Sequence, residues 1–229
     1  MAAKSKGKAS SPLIALIIIA AVFLWLRDAR EAKKSGSGNP PPVSSQTQSP
    51  SQSPARPGAY EVYQNCRLID HGSNDGDSFL IQLPDGRQET FRLYYVDTPE
   101  SKFRRYQNGE TNFERIRQQA DELGRITPEQ AVEIGQQGKH FTLDLLKSAP
   151  FTLYTVWDSP YHDQRYHAFI LVRGGYLHQL LIEKGLARIK TKPAPLPDGT
   201  SVSAEQQRLR TLENTARKNR VGVWKFTES

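Results

Sequence analysis

The chain has 229 residues, of which 37% are hydrophobic and 24% are charged, and this composition excludes disorder along its whole length. Its single cysteine, Cys66, excludes an intrachain disulfide framework and a cysteine-based zinc site. The net charge of +7 lies mostly in the N-terminal tail, because residues 1–59 hold eight Lys and Arg against two Asp and Glu. The high charge is therefore not by itself a sign of nucleic-acid binding.

An unbroken apolar run of 14 residues covers residues 13–26, and three lysines precede it. As a helix the run would reach about 21 Å, which is shorter than the ~30 Å hydrocarbon core unless residues 10–12 extend it. No small-residue cleavage site follows the run. We expect residues 1–34 to form a basic N-terminus and a membrane anchor, with the following domain outside the cytoplasm. The alternatives are a cleaved signal that releases a secreted protein, and a helix buried in a soluble protein.

Residues 35–59 contain six Pro and seven Ser and almost no large apolar side chain. Such a segment cannot bury enough surface to offset the entropy lost on ordering, so it is predicted to be a disordered linker. The folded domain is then expected to occupy residues 60–229.

Five runs rich in β-branched and aromatic residues predict strands over residues 62–69, 79–83, 90–96, 151–157 and 165–172. The tetrapeptide Pro84-Asp85-Gly86-Arg87 is a turn signal between the second and third of them. Short strands interspersed with helices favour an α+β domain built on a Greek-key barrel.

Three helices are predicted within this domain. The first begins with Thr127 as its N-cap, because the sequence Thr-Pro-Glu-Gln places Pro at the first helical position and Gln at the third. The second follows the Gly174-Gly175 turn. The third is predicted to begin at Ser203, with Gln206 closing a second capping box.

Four charged residues near the strand ends suit phosphodiester chemistry. Asp77 and Asp97 could converge at the ends of two strands, and their oxygen ligands suit a hard cation such as Ca²⁺ rather than zinc. Arg92 and Arg165 offer planar, permanently charged groups that fork onto phosphate oxygens. Hydrolysis of a phosphodiester needs these two elements together with an activated water.

Two strings near these residues carry a resemblance to a known family. The string Asp75-Gly76-Asp77-Ser78 and the run FRLYYVDTPE at residues 91–100 resemble the core signature of the staphylococcal nuclease (thermonuclease) family. Segments at residues 165–171, 183–188 and 213–224 resemble later parts of that family in the same order. The resemblance spans residues 60–226 and implies a five-stranded OB-type barrel with about three helices.

The resemblance also implies roles for individual residues. Asp77 and Asp97 match the carboxylate ligands of Ca²⁺, and Thr98 matches the residue that contributes its backbone carbonyl. Glu100 matches the general base that orients or deprotonates the attacking water.

Arg92 and Arg165 match the two arginines that bind the phosphate in the transition state. The implied reaction is calcium-dependent hydrolysis of DNA and RNA that leaves 3′-phosphates. We expect a monomer whose partners are a nucleic-acid substrate and, through the N-terminal helix, a membrane. The alternative is a noncatalytic OB-type module that binds nucleic acid or protein.

The chain departs from the family pattern in three places. Asp163 and Gln164 precede Arg165, where the family typically has an aromatic-glycine pair, and an acid there could repel phosphate or weaken substrate binding. Residues 102–127 form an insertion with a predicted amphipathic helix, which either flanks the substrate cleft or is a solvated helix outside it. The segment after Ala187 lacks the family's base-stacking tyrosines, so Lys190 and Lys192 are candidates to bind substrate through charge instead.

Overall fold

A computed structural model describes residues 60–227 of the chain. The predicted anchor and linker lie outside the described residues, so both stay predictions. Between residues 60 and 227, no helix is long and apolar enough to cross a membrane.

The described part of the chain contains short strands and four α-helices. The strands are β1 (Glu61–Leu68), β2 (Ser78–Gln82), β3 (Gln88–Leu93), β4 (Val96–Asp97), β5 (Phe151–Thr155), β6 (Tyr166–Val172), β7 (Gly175–Tyr176) and β8 (Arg188–Ile189). The helices are α1 (Phe113–Glu122), α2 (Pro128–Ser148), α3 (Leu177–Glu183) and α4 (Val202–Lys218), followed by a 3₁₀-helix at Gly222–Lys225.

Five of the strands close into a barrel. Strand β1 pairs antiparallel with β2 and β5, while β2 pairs with β3 and β5 with β6. Parallel pairing of β3 with β6 then joins the two ends of the sheet. The predicted five-stranded barrel is thereby confirmed, and the helix predicted in the insertion is present as α1 beside the three other predicted helices.

The barrel is filled by inward-facing aromatic and aliphatic side chains. Phe79, Phe91, Leu153 and Phe169 come from four different strands, and each is 0% exposed. Burial of side chains of this size contributes roughly 1.5–3 kcal/mol each, so the interior stabilises the closed barrel that holds the strand ends in place.

The predicted strand over residues 90–96 is wrong at its end. Strand β3 stops at Leu93, and Tyr95 has a φ of 68°, which takes the backbone out of the extended conformation. Tyr95 is 1% exposed, and its hydroxyl donates to the carbonyl of Ala194 at 2.5 Å. The chain therefore turns at this tyrosine, and Asp97 lies in a separate two-stranded ladder of β4 with β8.

The two predicted capping boxes have different outcomes. At α2 the Thr127 hydroxyl accepts from the Gln130 N–H at 3.2 Å, and the Gln130 side chain accepts from the Thr127 N–H, so this capping box is confirmed. The predicted start of the last helix at Ser203 is wrong. Ser201 is the N-cap of α4, because its backbone is extended and its side chain accepts from the Ala204 N–H.

Helix α2 packs directly on the loop that follows β4. A Cβ atom at Gly135 would lie 2.4 Å from the carbonyl oxygen of Glu100 and 2.5 Å from that of Pro99. Both contacts are with backbone, which cannot swing aside as a side chain can. Only glycine therefore allows this close approach between α2 and the loop.

We expect Gly135→Ala to lower the free energy of unfolding by about 1–3 kcal/mol, as overpacking of a filled interior does. An alanine in a helix interior normally stabilises by roughly 0.5–1 kcal/mol relative to glycine, so the sign of the effect tests the close contact. Gln136→Ala, at the next and exposed position of α2, is the control and should change stability by less than about 0.5 kcal/mol. Urea denaturation of both variants measures the difference, and a stabilised Gly135→Ala would contradict the packing.

Candidate active site

Closure of the barrel brings two arginines together. Arg92 lies opposite Ser78 in the β2–β3 ladder and opposite His167 in the β3–β6 ladder. Arg165 directly precedes β6, and its Nη1 donates to the Ser78 hydroxyl at 3.2 Å. The parallel β3–β6 pairing therefore places both guanidinium groups at one end of the barrel.

Arg92 links two buried carboxylates. Its Nη2 lies 2.6 Å from Asp97 Oδ1 and 3.5 Å from Asp77 Oδ2, and all three residues are less than 8% exposed. Asp77 also accepts from the Thr98 N–H at 3.0 Å and the Ser78 hydroxyl at 2.9 Å. Burial raises the pKa of Asp77, because the charged carboxylate loses its contact with water.

Asp97 is bound by cations from three separate elements. Besides Arg92, it accepts from Arg188 of β8 at 2.9 and 2.7 Å, and from Nη2 of Arg115 in α1 at 3.3 Å. Burial raises the pKa of Asp97, but the positive charges of Arg188, Arg115 and Arg92, in decreasing order of effect, outweigh burial and hold this pKa below its usual value. Asp97 is therefore ionised, and three guanidinium groups balance it.

Glu100 is held at the cleft by residues of the insertion. Arg115 Nε donates to Glu100 Oε1 at 2.8 Å, and the Asn112 side-chain amide donates to Oε2 at 3.4 Å. The Glu100 side chain is 19% exposed, so it is fixed in direction while it still reaches solvent. The carboxylate is thus positioned toward the open side of the site.

A buried glutamine of α1 ties this loop together. Gln119 is 0% exposed, and its side-chain amide donates to Asp97 Oδ2 at 3.2 Å and to the Thr98 carbonyl at 3.4 Å. Its side-chain oxygen accepts from the Glu100 N–H at 3.0 Å. Helix α1 therefore forms a wall of the site, and the alternative of a solvated helix outside it is wrong.

These residues surround an open cleft of about 440 Å³. Of the predicted site residues, the cleft is lined by Asp77, Arg92, Thr98, Glu100 and Arg165, and Asp97 lies behind them, bound to Arg92.

The two predicted substrate lysines lie elsewhere. Lys190 pairs with Glu122 at 2.9 Å, and Lys192 pairs with Asp158 at 2.5 Å. Neither lysine lines the cleft. Each is bound to a carboxylate of the protein, so substrate contact by these lysines stays a prediction that the cleft geometry does not favour.

Sequence reasoning missed Asp75, which also lines the cleft. Burial, together with the charge of Asp77, raises its pKa to about 6. The sequence did contain a signal for this residue, since Asp75 and Asp77 flank a single glycine.

Across residues 60–227, no group of three or more His, Cys, Asp or Glu side chains is arranged to hold a metal ion. A cation here would therefore need backbone oxygen and water in addition to the carboxylates near the cleft.

The arginines of the cleft differ in whether their hydrogen-bond donors already have partners within the protein. Arg165 Nε donates to Asp163 at 3.0 Å, and its Nη2 also pairs with that carboxylate. The Nε atom of Arg92, in contrast, is buried and has no hydrogen-bond partner within residues 60–227. A buried donor without an acceptor is costly, so this end of the barrel favours an anion in the cleft.

We expect Gln119→Ala to lower the free energy of unfolding by more than about 1–3 kcal/mol, because it leaves the Glu100 N–H unpaired and opens a cavity. The control is Gln118→Ala at the neighbouring exposed position, whose side-chain amide donates to Glu122 at 3.1 Å. Urea denaturation of the two variants provides the comparison. Equal stability of both variants would mean that Gln119 does not support the loop.

The chain matches one protein family over most of the domain. The family model of staphylococcal nuclease homologues matches residues 90–226, which include Arg92, Asp97, Glu100 and Arg165, while Asp77 precedes the matched range. A search of curated proteins found no match. This family assignment indicates a nuclease-type function and nucleic-acid binding. On the matched residues and the closed barrel, the chain belongs to the staphylococcal nuclease homologue family.

Proposed function

We propose that the protein is a calcium-dependent phosphodiesterase that hydrolyses DNA, RNA or both and leaves 3′-phosphates. The observation that carries the proposal is a cleft in which Arg92, Arg165 and Glu100 face the same space, in front of two buried carboxylates. Two guanidinium groups suit the non-bridging oxygens of a phosphate, and a fixed carboxylate suits a water next to it.

The donor set of the site fits a hard cation. Asp77, Asp97 and the Thr98 carbonyl offer only oxygen ligands. Ca²⁺ prefers such ligands, whereas zinc sites are built mainly from histidine and cysteine. Asp75 faces the same cleft and would supply a further carboxylate. Bound there, Ca²⁺ would polarise the phosphate and offset charge that builds on its oxygens.

Arg92 and Arg165 are proposed to bind the scissile phosphate. The Nε–H of Arg92 can donate to a phosphate oxygen with no loss of an existing bond, whereas Arg165 must share its donors between Asp163 and the substrate. Charge on the phosphate oxygens grows in the transition state, so both arginines contribute most at that point.

Glu100 is proposed as the general base. It would take one proton from a water whose oxygen forms the new bond to phosphorus, while the bond from phosphorus to the 5′-oxygen breaks. The leaving 5′-oxygen would take a proton from water in the open cleft, and Glu100 would return its own proton to solvent. Arg115 and Asn112 each bind one oxygen of the carboxylate, so its orientation toward the attacking water is restricted.

A noncatalytic binding module is the second candidate. The pairing of Arg165 with Asp163 and of Asp97 with three arginines favours it, because these bonds satisfy groups that catalysis would need free. Cleavage assays separate the two candidate functions.

We further propose, from the sequence alone, that the N-terminal segment anchors the domain at a membrane, outside the cytoplasm.

The first expected outcome concerns the metal. The full-length protein should cleave a single-stranded oligonucleotide with Ca²⁺ and lose this activity in excess chelator. Calorimetric titration should show Ca²⁺ affinity falling as the pH drops through about 6, because the raised pKa of Asp75 leaves this carboxylate protonated in acid.

Two variants test the assignment to Asp75. Asp75→Asn should bind Ca²⁺ more weakly at pH 7 and show less change between pH 7 and pH 5. Asp70→Asn, at an exposed carboxylate bound to Lys147, should titrate like the wild type. Full turnover in chelator would contradict the calcium mechanism.

The second expected outcome concerns Arg165. Arg165→Lys should lower kcat by about 10²–10³-fold with a smaller change in KM, because lysine keeps the charge but loses the forked donors. Arg173→Lys, at the exposed end of the same strand, is the matched control. Steady-state cleavage of a short oligonucleotide, with circular dichroism to verify folding, gives the result. A folded Arg165→Lys with unchanged kcat would remove this residue from the proposed phosphate site.

A further inference from the structure

Part of the insertion forms a rim of the cleft that the proposed reaction does not use. We call residues 102–112 the rim loop. Arg104 and Tyr106 of the rim loop line the cleft together with Arg92 and Arg165. The proposed reaction gives neither residue a role in binding the scissile phosphate or in activating water. Their side chains are therefore available to bind another part of the substrate.

The rim loop is a built element that is fastened to the site. The Arg104 N–H donates to the Asn112 side chain at 2.8 Å, and the Asn112 N–H donates back to the Arg104 carbonyl at 3.2 Å. Asn112 also donates to Glu100, so the loop and the proposed base share one anchor. Farther out, the Tyr106 N–H donates to the Glu110 carbonyl at 2.8 Å. These bonds hold the backbone at Arg104 and Tyr106 in place beside the cleft.

Arg104 has an unused donor. Its Nε is buried and has no hydrogen-bond partner within residues 60–227, and its guanidinium forms no ion pair with any carboxylate there. The neighbouring Arg105 points elsewhere, since it is exposed and does not line the cleft. Arg104 lines the cleft, and a guanidinium that no carboxylate of the described chain neutralises is suited to an anionic oxygen.

Tyr106 has an unused ring. Its side chain is 47% exposed, and it makes no ring contact with another aromatic residue of the described chain. Phe103 and Phe113 instead pack on each other edge to face, with ring centroids 5.3 Å apart, at the base of the loop. An exposed ring beside an unpaired guanidinium is the combination that binds a base together with its phosphate.

We propose that the rim loop is a subsite for the nucleotide that flanks the scissile phosphate, with Arg104 on its phosphate and Tyr106 stacked on its base. This inference rests on the proposed function and deepens it. A base can stack on a protein ring only when its face is free, so the subsite selects single-stranded nucleic acid over duplex. Tyr106 and Arg104 bind the flanking nucleotide and do not touch the reacting atoms.

The test is equilibrium binding in chelator, so that no cleavage occurs. The probes are a fluorescent single-stranded octanucleotide, an abasic octamer with the same phosphates, and a duplex of the same sequence. Tyr106→Ala should weaken binding of the octanucleotide roughly fivefold or more. It should leave binding of the abasic octamer and the duplex within about twofold, and Tyr106→Phe should bind like the wild type, since stacking requires the ring alone.

The arginine arm uses a matched pair of variants. Arg104→Ala should weaken binding of the octanucleotide and the abasic octamer alike, and lower the salt slope by about 0.7, which corresponds to one lost phosphate contact. Arg105→Ala removes the same charge from the adjacent exposed position and should leave the slope near that of the wild type. Thermal melting of each variant verifies that the domain is folded.

The outcomes separate this inference from the proposed function. Equal affinity of Tyr106→Ala and wild type for the octanucleotide, or equal slopes for Arg104→Ala and Arg105→Ala, would overturn the subsite even if the protein cleaves DNA. Conversely, the expected binding changes in a protein that cleaves nothing with Ca²⁺ would support the subsite and overturn the hydrolase. If Tyr106→Ala failed to fold, Tyr106→Leu would take its place, with the same expected loss.

Discussion

The buried charge of Asp97 is the constraint on which the rest of the site depends. At 3% exposure an isolated carboxylate would be unstable, because burial removes the hydration that favours its ionised form. The fold meets this requirement with arginines from a barrel strand, from β8 and from α1, which meet only in the folded chain. The same bonds hold Arg92 at the cleft, so the arrangement of the site and the closure of the barrel are coupled.

The insertion is bound into this network. Arg115 contacts both Asp97 and Glu100, and Gln119 contacts the backbone between them. Truncating one member of a buried charge network leaves its partners uncompensated, which usually costs more than the net stabilisation of the pair. Loss of α1 would therefore disturb the loop of Asp97 and Glu100 even though the barrel strands themselves remain paired.

Sequence patterns predicted the parts of the fold that depend on local chemistry. The five strands follow from runs of β-branched and aromatic residues, and the Thr127 cap follows from capping preferences. The break at Tyr95, in contrast, coincides with a hydroxyl bond to Ala194, far away along the chain. The resemblance to a family brought out the acids and arginines of the cleft. Arg188 lies in a segment that resembles the family and Gln119 lies in the insertion, but neither residue was assigned a role, because the choice of a buried partner is made by tertiary packing. Ser201 rather than Ser203 is the N-cap of α4 because its backbone is extended and its hydroxyl accepts from the Ala204 N–H.

The charge balance of the cleft has a consequence for affinity. Arg165 is already paired with Asp163, so a phosphate that binds to it replaces or shares an existing ion pair, and the net gain is smaller than for a free guanidinium. Arg92 and Arg104 each keep a buried Nε without a partner, and a phosphate oxygen there would add a bond without breaking one. Binding energy for the ground state is thus expected to come from these two positions. Arg165 can contribute most in the transition state, when the growing charge on the phosphate oxygens competes successfully with the carboxylate of Asp163. An interaction that is stronger in the transition state than in the ground state accelerates the reaction, whereas an equal interaction in both states only tightens binding.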